Sequence, residues 1–240
     1  MKKINIVLFL SFLLLASCSA RINGTLRQGG SADLTIQVAL EPRMTSLIRS
    51  LNAVMGHSGS ELILDGQSIS RSMAASPGIS SVILLNTGPA ALEGEVAVSR
   101  VEDFLSPVRE QRFISYWEGL DGGRPSGRIL ISLNRATVPE LVALLSAEAV
   151  DYLTALMAPA ILGDEISNEE YLVLVNSLYG PGIVEEIRNA RILASIDFPS
   201  PITAIRGGTI SSPRRADFDI PLLDLLVLEN PLSWEVSWRQ

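Results

Sequence analysis

Hydrophobic period changes twice along this chain, and that constrains its fold more than any single motif. Apolar residues follow a strand-like pattern through 22–40 and again at about 79–134. They recur at helical spacing through about 137–190 and return to alternation from 191 onward. Strands, a helical block and strands again predict an α+β fold with a mostly antiparallel sheet. An N-terminal hairpin and a packed helix begin it, a helical layer occupies about 137–190, and C-terminal strands complete the sheet.

The local signals fill in this outline. Ile22 and Leu26 precede a turn at Gly29-Gly30, and Leu34, Ile36, Val38 and Leu40 alternate after it, which predicts a hairpin. Pro42 opens a helix whose Met44, Leu47, Ile48, Leu51, Val54 and Met55 share one face, expected to pack on the sheet. Its polar face offers only Arg43 and Arg49, too little cationic charge for a membrane-surface helix. A short strand is expected at 61–64 and a helix at 67–75. Further strands are expected at about 79–86, 92–101, 110–118 and 127–134, with Gly122-Gly123 and Pro125 in the turn before the last. Thr137-Val-Pro-Glu140 and Ser167-Asn-Glu-Glu170 both have capping-box spacing. Helical runs follow at about 138–145, 147–158, 168–179 and 182–190. Strands are expected again at 191–198, 202–206 and 215–220, with Gly207-Gly208 as a hairpin turn between them. Trp234, Val236 and Trp238 alternate with Ser233, Glu235 and Ser237 in a half-buried last strand.

The N-terminus has a separate logic. Met1-Lys2-Lys3 leads into Ile4–Leu15, an apolar run too brief to span a bilayer comfortably, and small residues follow it. Residues 1–17 therefore read as an export signal. Leu15-Ala16-Ser17-Cys18 resembles the lipobox of bacterial lipoproteins: an aliphatic residue, two small residues and a cysteine. That resemblance implies diacylglycerol transfer to the Cys18 thiol, cleavage before it, and acylation of the new amine. Cys18 is the chain's only cysteine, so no disulfide partner accounts for it. Residues 18–21 are then the lipidated N-terminus with a short tether, and 22–240 a single α+β domain with its helical insertion at about 137–190. The expected partner is a membrane, held through acylated Cys18, since each buried CH2 of an acyl chain contributes about 0.8 kcal/mol. In a diderm cell, Ser19 in place of an aspartate implies the outer membrane.

Charge excludes other partners. Lys2 and Lys3 are the only lysines and no acid precedes Cys18, so 17 of the 19 cationic side chains remain after cleavage against all 26 acids, a net charge of −9. Such a surface argues against nucleic acid, which needs a basic face, and against a polybasic lipid-docking patch. Roughly 220 residues suffice for a substantial core.

No residue set predicts catalysis, a cofactor or a metal site. Gly56-His57-Ser58-Gly59 superficially resembles a nucleophile elbow, but Ser60 stands where the second glycine belongs, and His57 is the chain's only histidine. A base directly beside its serine is badly placed to take the proton, so a helix-ending turn is expected there. One histidine and one lipid-bearing cysteine cannot build a zinc or copper site of the usual kind. Asp164-Glu165 with Glu169-Glu170 lack the spacing of a calcium loop, and helix capping accounts for them. Glu102-Asp103, Asp121, Glu185-Glu186 and Asp224 supply carboxylates of the type a glycosidase uses, as any acidic chain does. Trp117, Trp234 and Trp238 offer sugar platforms, though alternation favours packing. Asp224 sits inside Leu222–Leu228, an otherwise apolar run, and is expected to need a structural partner such as Arg214 or Arg215.

The segment Ile196-Asp-Phe-Pro-Ser-Pro-Ile202, the glycine pair Gly207-Gly208 and the tryptophan-bearing last strand, together with the hairpin 22–40 directly after Cys18, resemble the LppM-like envelope lipoproteins. The helical block at 137–190 is a departure from that pattern. The resemblance implies an envelope domain able to contact lipids or glycolipids. Three functions follow as expectations: a non-catalytic binding module for a lipid or other apolar ligand, an assembly lipoprotein docking another envelope protein, and, third, a hydrolase with a carboxylate site.

Overall fold

The computed structural model describes residues 18–54, 62–106, 113–139 and 153–240. The export signal, the segment around His57 and most of the helical runs expected at 138–145 and 147–158 lie outside these residues. The α+β class is borne out, but with two sheets where the sequence predicts one. The larger has seven strands: β1 (Cys18–Leu26), β2 (Ala32–Leu40), β3 (Ile79–Gly88), β4 (Ala91–Val98), β7 (Arg191–Asp197), β9 (Thr209–Ser212) and β10 (Arg215–Pro221). Their order is β3-β4-β2-β1-β7-β10-β9. The smaller is β5-β6-β11-β8, from Ile114–Asp121, Arg124–Leu133, Leu232–Arg239 and Ile202–Arg206. All neighbours are antiparallel except β1 and β7, which run parallel from Ala20 opposite Ile192 to Thr25 opposite Asp197. The strand after the helical block thus joins the N-terminal hairpin, and the two ends of the chain do complete the sheets.

The second sheet corrects one turn. β8 pairs with β11 and β9 with β10, so Gly207-Gly208 is a crossover between sheets rather than a hairpin turn. Gly207 has φ 71°, and a Cβ on it would lie 2.3 Å from the Ser233 carbonyl oxygen, so only glycine lets the chain pass that close to β11. The expected turns elsewhere are present. Gly29 and Gly30 turn β1 into β2, and Gly122-Gly123, both at positive φ, make a two-residue turn between β5 and β6. Pro125 lies beyond that turn, inside β6 and opposite Leu120.

Other boundaries move for local reasons. Residues 62–64, the described part of the strand expected at 61–64, form a loop, with the Ile63 and Leu64 amides donating to the Pro89 carbonyl. Asp65 ends the run because its carboxylate accepts from the Gln67 and Ser68 amides and starts helix α2 (Gly66–Ala74), after α1 (Pro42–Val54). The strand expected to reach 101 stops at Val98, and Val101–Leu105 is a short helix, α3. The exposed strand β9 has no alternation to announce it.

The helices α4 (Pro159–Leu162), α5 (Asn168–Tyr179) and α6 (Pro181–Asn189) belong to the expected helical block. Ser167 and Glu170 form the predicted capping box. Glu140 of the other predicted box lies outside the described residues; just before it, the Asn134 side-chain oxygen accepts from the Ala136 and Thr137 amides. Helix α1 buries Met44 and Ile48, and its start docks on α6, where the Glu186 carboxylate accepts from the Arg43 and Met44 amides at 2.9 and 2.7 Å. Leu222–Val227 is a short buried helix, α7. Asp224 lies in its first turn, half-buried. Its partner is the Asn168 side-chain amide at 3.0 Å, not Arg214 or Arg215. Arg215 is instead directed to Asp197 and Asp217 on the sheet.

In β11, Trp238 is 2% exposed and its indole lies over Gly127 of β6, where a Cβ would come within 2.2 Å of the ring. Gly127→Ala should therefore lower stability by about 1–3 kcal/mol, the cost of overpacking a closed core. Gly123→Ala, strained by its positive φ but with open space around it, serves as a turn control that leaves the Trp238 ring untouched. Thermal unfolding followed by tryptophan fluorescence would separate the two, with loss of the Trp238 environment only in Gly127→Ala.

Candidate functional site

Cys18 is the first described residue of β1, opposite Leu40, and residues 18–21 stand in register with 37–40. The stretch expected as a tether is therefore strand, because the hairpin register carries the ladder back to the cysteine itself.

From there β1 runs through the middle of the seven-stranded sheet. Its Ala20 and Leu26 are buried, while Arg21, Asn23 and Thr25 are exposed on the opposite face. Cross-strand partners share a face, so the registers assemble that outer face row by row. One row reads Leu85, Glu93, Gln37, Arg21, Leu193 and Asp219 across β3, β4, β2, β1, β7 and β10. The next reads Ile83, Glu95, Thr35, Asn23, Ser195 and Asp217. Ile83 and Leu85 are 57% and 64% exposed, a pair of large apolar side chains open to solvent on β3.

A cleft of 580 Å³ lies along β1, β7 and β10 beside the Gly207-Gly208 crossover, with Arg21, Ile22, Leu193, Ser195, Asp217 and Phe218 among its lining residues. The Ser195 hydroxyl donates to the Asp217 carboxylate. That bond, helped by Ser211 and by Arg215, holds the Asp217 carboxyl below its ordinary range. Arg191 approaches Asp219 at 3.5 Å, and Arg215 approaches Asp197 at 3.5 Å. The arrangement is a set of hydroxyls, carboxylates and guanidiniums beside apolar side chains. It can hold a ligand by hydrogen bonds, and among the described residues no histidine or lysine lines it.

A second cleft, of 380 Å³, lies where the β1–β2 turn meets the smaller sheet. Glu118 accepts there from the Gly29 amide at 3.0 Å and from the Tyr116 hydroxyl at 2.9 Å. Burial, then the bond to Glu118, pushes the Tyr116 phenol well above its ordinary range, so it stays a neutral donor. Both clefts flank the sheets; neither is the sheet-to-helix cavity a buried lipid chain would occupy.

The carboxylates named from the sequence occupy separate places. Glu102 and Asp103 lie beside Arg100 in α3, Asp121 pairs with Arg239 at 3.0 Å, Glu185 is exposed, and Glu186 caps α1. Glu170 is the cap of α5, and Glu169 is 3.8 Å from Arg188. Among the described residues, no three His, Cys, Asp or Glu side chains gather as a metal site would require. Trp117 is half exposed, whereas Trp238 packs 5.1 Å from the Phe198 ring. Sequence inspection singled out neither Ser195 nor the row through Arg21. Their neighbours come from strands far apart in the chain, and only the registers bring them together.

No family model matches the chain, and no curated protein does. One solved structure is similar, the NMR structure of the folded domain of LppM from Mycobacterium tuberculosis. It has a TM-score of 0.41 and 10% identity, covering 93% of this chain and 90% of that one.

Because the Asp217 carboxyl is lowered in the folded state, its contribution to stability is complete above the unfolded value of about 3.9 and is lost as pH falls through the folded value. Asp217→Asn should therefore flatten the acid side of the stability curve: the fall in Tm from about pH 5 to pH 2 becomes smaller than in the wild type. Thermal scans of both proteins across that range check the sign.

Proposed function

We propose that this chain is a cell-envelope lipoprotein, held at a bilayer by acyl chains on Cys18, whose folded part is a non-catalytic binding module for a lipid or other apolar envelope ligand. The observation that carries the anchoring is the coincidence at one residue. The chain's only cysteine follows a signal-like apolar run and small residues, and that same cysteine already stands in the β1–β2 ladder, opposite Leu40. With no slack between acyl chain and sheet, the folded part would lie against its bilayer, in the outer membrane if the cell has one. The 580 Å³ cleft supports binding. Leu193 gives it an apolar wall, and the Ser195–Asp217 pair with Arg21, on the same face of the sheet, gives it orienting polar groups. The single histidine and the scatter of the acidic residues favour binding over catalysis. A second reading, an assembly lipoprotein, draws on the exposed Ile83 and Leu85.

Metabolic labelling with a palmitate analogue tests the anchor. The wild type should take up label and fractionate with envelopes, and Cys18→Ala should do neither. A Cys18→Ala chain that is still processed and envelope-bound would sink the lipoprotein assignment. For the ligand, native mass spectrometry of the detergent-purified chain should show adducts of lipid mass that Leu193→Asp, a change at an exposed cleft residue, reduces. A clean apo mass would shift the weight to assembly.

A further inference from the structure

We infer that the outer face of the seven-stranded sheet is a self-complementary interface for a second copy of this chain, paired about a two-fold axis that lies in the face along β2. The row through Gln37 carries the inference. From β3 to β7 it reads Leu85, Glu93, Gln37, Arg21, Leu193: apolar, acid, amide, base, apolar. A two-fold axis along β2 keeps position along the strands and exchanges the two sides. It sets Glu93 against Arg21 of the second copy, Leu85 against Leu193, and Gln37 against Gln37, and then repeats each contact in reverse, as an isologous interface must. All five side chains are exposed, with Leu85 at 64% and Leu193 at 36%. Neither Glu93 nor Arg21 has a charged cross-strand neighbour in its own row: those neighbours are Leu85, Gln37 and Leu193.

The adjoining row agrees at its centre, while its ends oppose Ile83 to Ser195. Ile83, Glu95, Thr35, Asn23 and Ser195 set a carboxylate against an amide on each side of a central threonine. Asp33, which would face its own copy one row further, already holds the Arg27 guanidinium. The size is adequate. Five strands at about 4.8 Å spacing and nine residues at about 3.3 Å give roughly 700 Å² per copy. Counting both copies, that is roughly 1,400 Å², inside the range of about 1,200–2,000 Å² for specific interfaces. Two sheets packing face to face at about 10 Å is a common solution to such surfaces.

The row contains both members of its ion pair, so the charges can be exchanged. The full chain, purified in a non-ionic detergent, is followed by sedimentation with correction for bound detergent. The wild type should show a dimer. Arg21→Glu and Glu93→Arg should each weaken it at least about tenfold, and the double exchange should restore it to near wild type. The axis has its own test. In a Cys18→Ser background, Gln37→Cys carries the only thiol, and a short bis-maleimide should join two copies through it, because residue 37 meets itself. Val173→Cys, exposed on α5, should not cross-link. Monomer mass at all concentrations up to about 100 μM overturns the inference. So does a dimer that ignores both charge reversals, or Gln37→Cys cross-linking no better than Val173→Cys. Arg21, Leu193 and Ser195 also line the 580 Å³ cleft, so a pair on this face closes over it and competes with an apolar ligand for the same side chains. The pairing is read from oligomer mass and cross-linking, the ligand from lipid adducts and the anchor from palmitate label, so their failures are distinguishable.

Discussion

The parallel pairing of β1 with β7 is the contact on which the rest of the molecule depends. It spans from Ala20 to Ile192, so closing it fixes the ends of everything between, including the hairpin partner β2, the β3–β4 ribbon and the helical block. A parallel pair needs a long crossover, and here the crossover carries most of the fold. β7 then presents its other edge to β10, and β10 leads directly into the buried helix α7. Gly24 belongs to the same contact: a Cβ there would collide with Leu34 and Ile196, whose side chains meet over it from the two flanking strands. That pairing is non-local, and the loop-closure entropy it demands is offset only when the inner face of the sheet is covered.

What could be read from the sequence follows from this division between local and distant contacts. The Ser167–Glu170 capping box, the Gly122-Gly123 turn and the alternation of β11 are each complete within a few residues, and each is where the pattern puts it. The Glu186 cap on α1 could not be seen, since donor and acceptor are 142 positions apart and Glu186 looks like any helix-face glutamate. The partner of Asp224 failed for the same reason. A charged neighbour in sequence was the natural guess, whereas the side chain that reaches it is an amide 56 residues away. The division into two sheets hangs on Gly207-Gly208, whose composition suits a hairpin and a crossover equally well. The nearby Ser233 carbonyl and the separate pairings of β8 and β9 decide it.

The outer face shows how little of a surface is legible before registers are known. Alternation alone says that Arg21, Asn23 and Thr25 point away from the core, and that Glu93 and Glu95 do too. It cannot say that Arg21 and Glu93 stand on either side of Gln37. A slip of one residue between β2 and β4 would move the glutamates to the buried face and erase the symmetry. The register is pinned by the opposite face, where Ile36, Val38, Leu92 and Val96 are at most 2% exposed. Core packing thus dictates the charge pattern outside.

Orientation links that pattern to the N-terminus. Two sheets can meet face to face about an axis along the strands or an axis across them. An axis across the strands reverses strand direction, so the two β1 strands would start at opposite ends of the pair, and Cys18 of one copy would lie about 30 Å from the level of the other, given nine residues at about 3.3 Å each. An axis along β2 preserves strand direction and leaves both Cys18 residues at one end. Because Cys18 is itself paired in β1, opposite Leu40, acyl chains on it would have no linker to span the difference. A lipid-anchored chain with this sheet could pair on one bilayer through the first arrangement only, and that is the arrangement in which Arg21 meets Glu93.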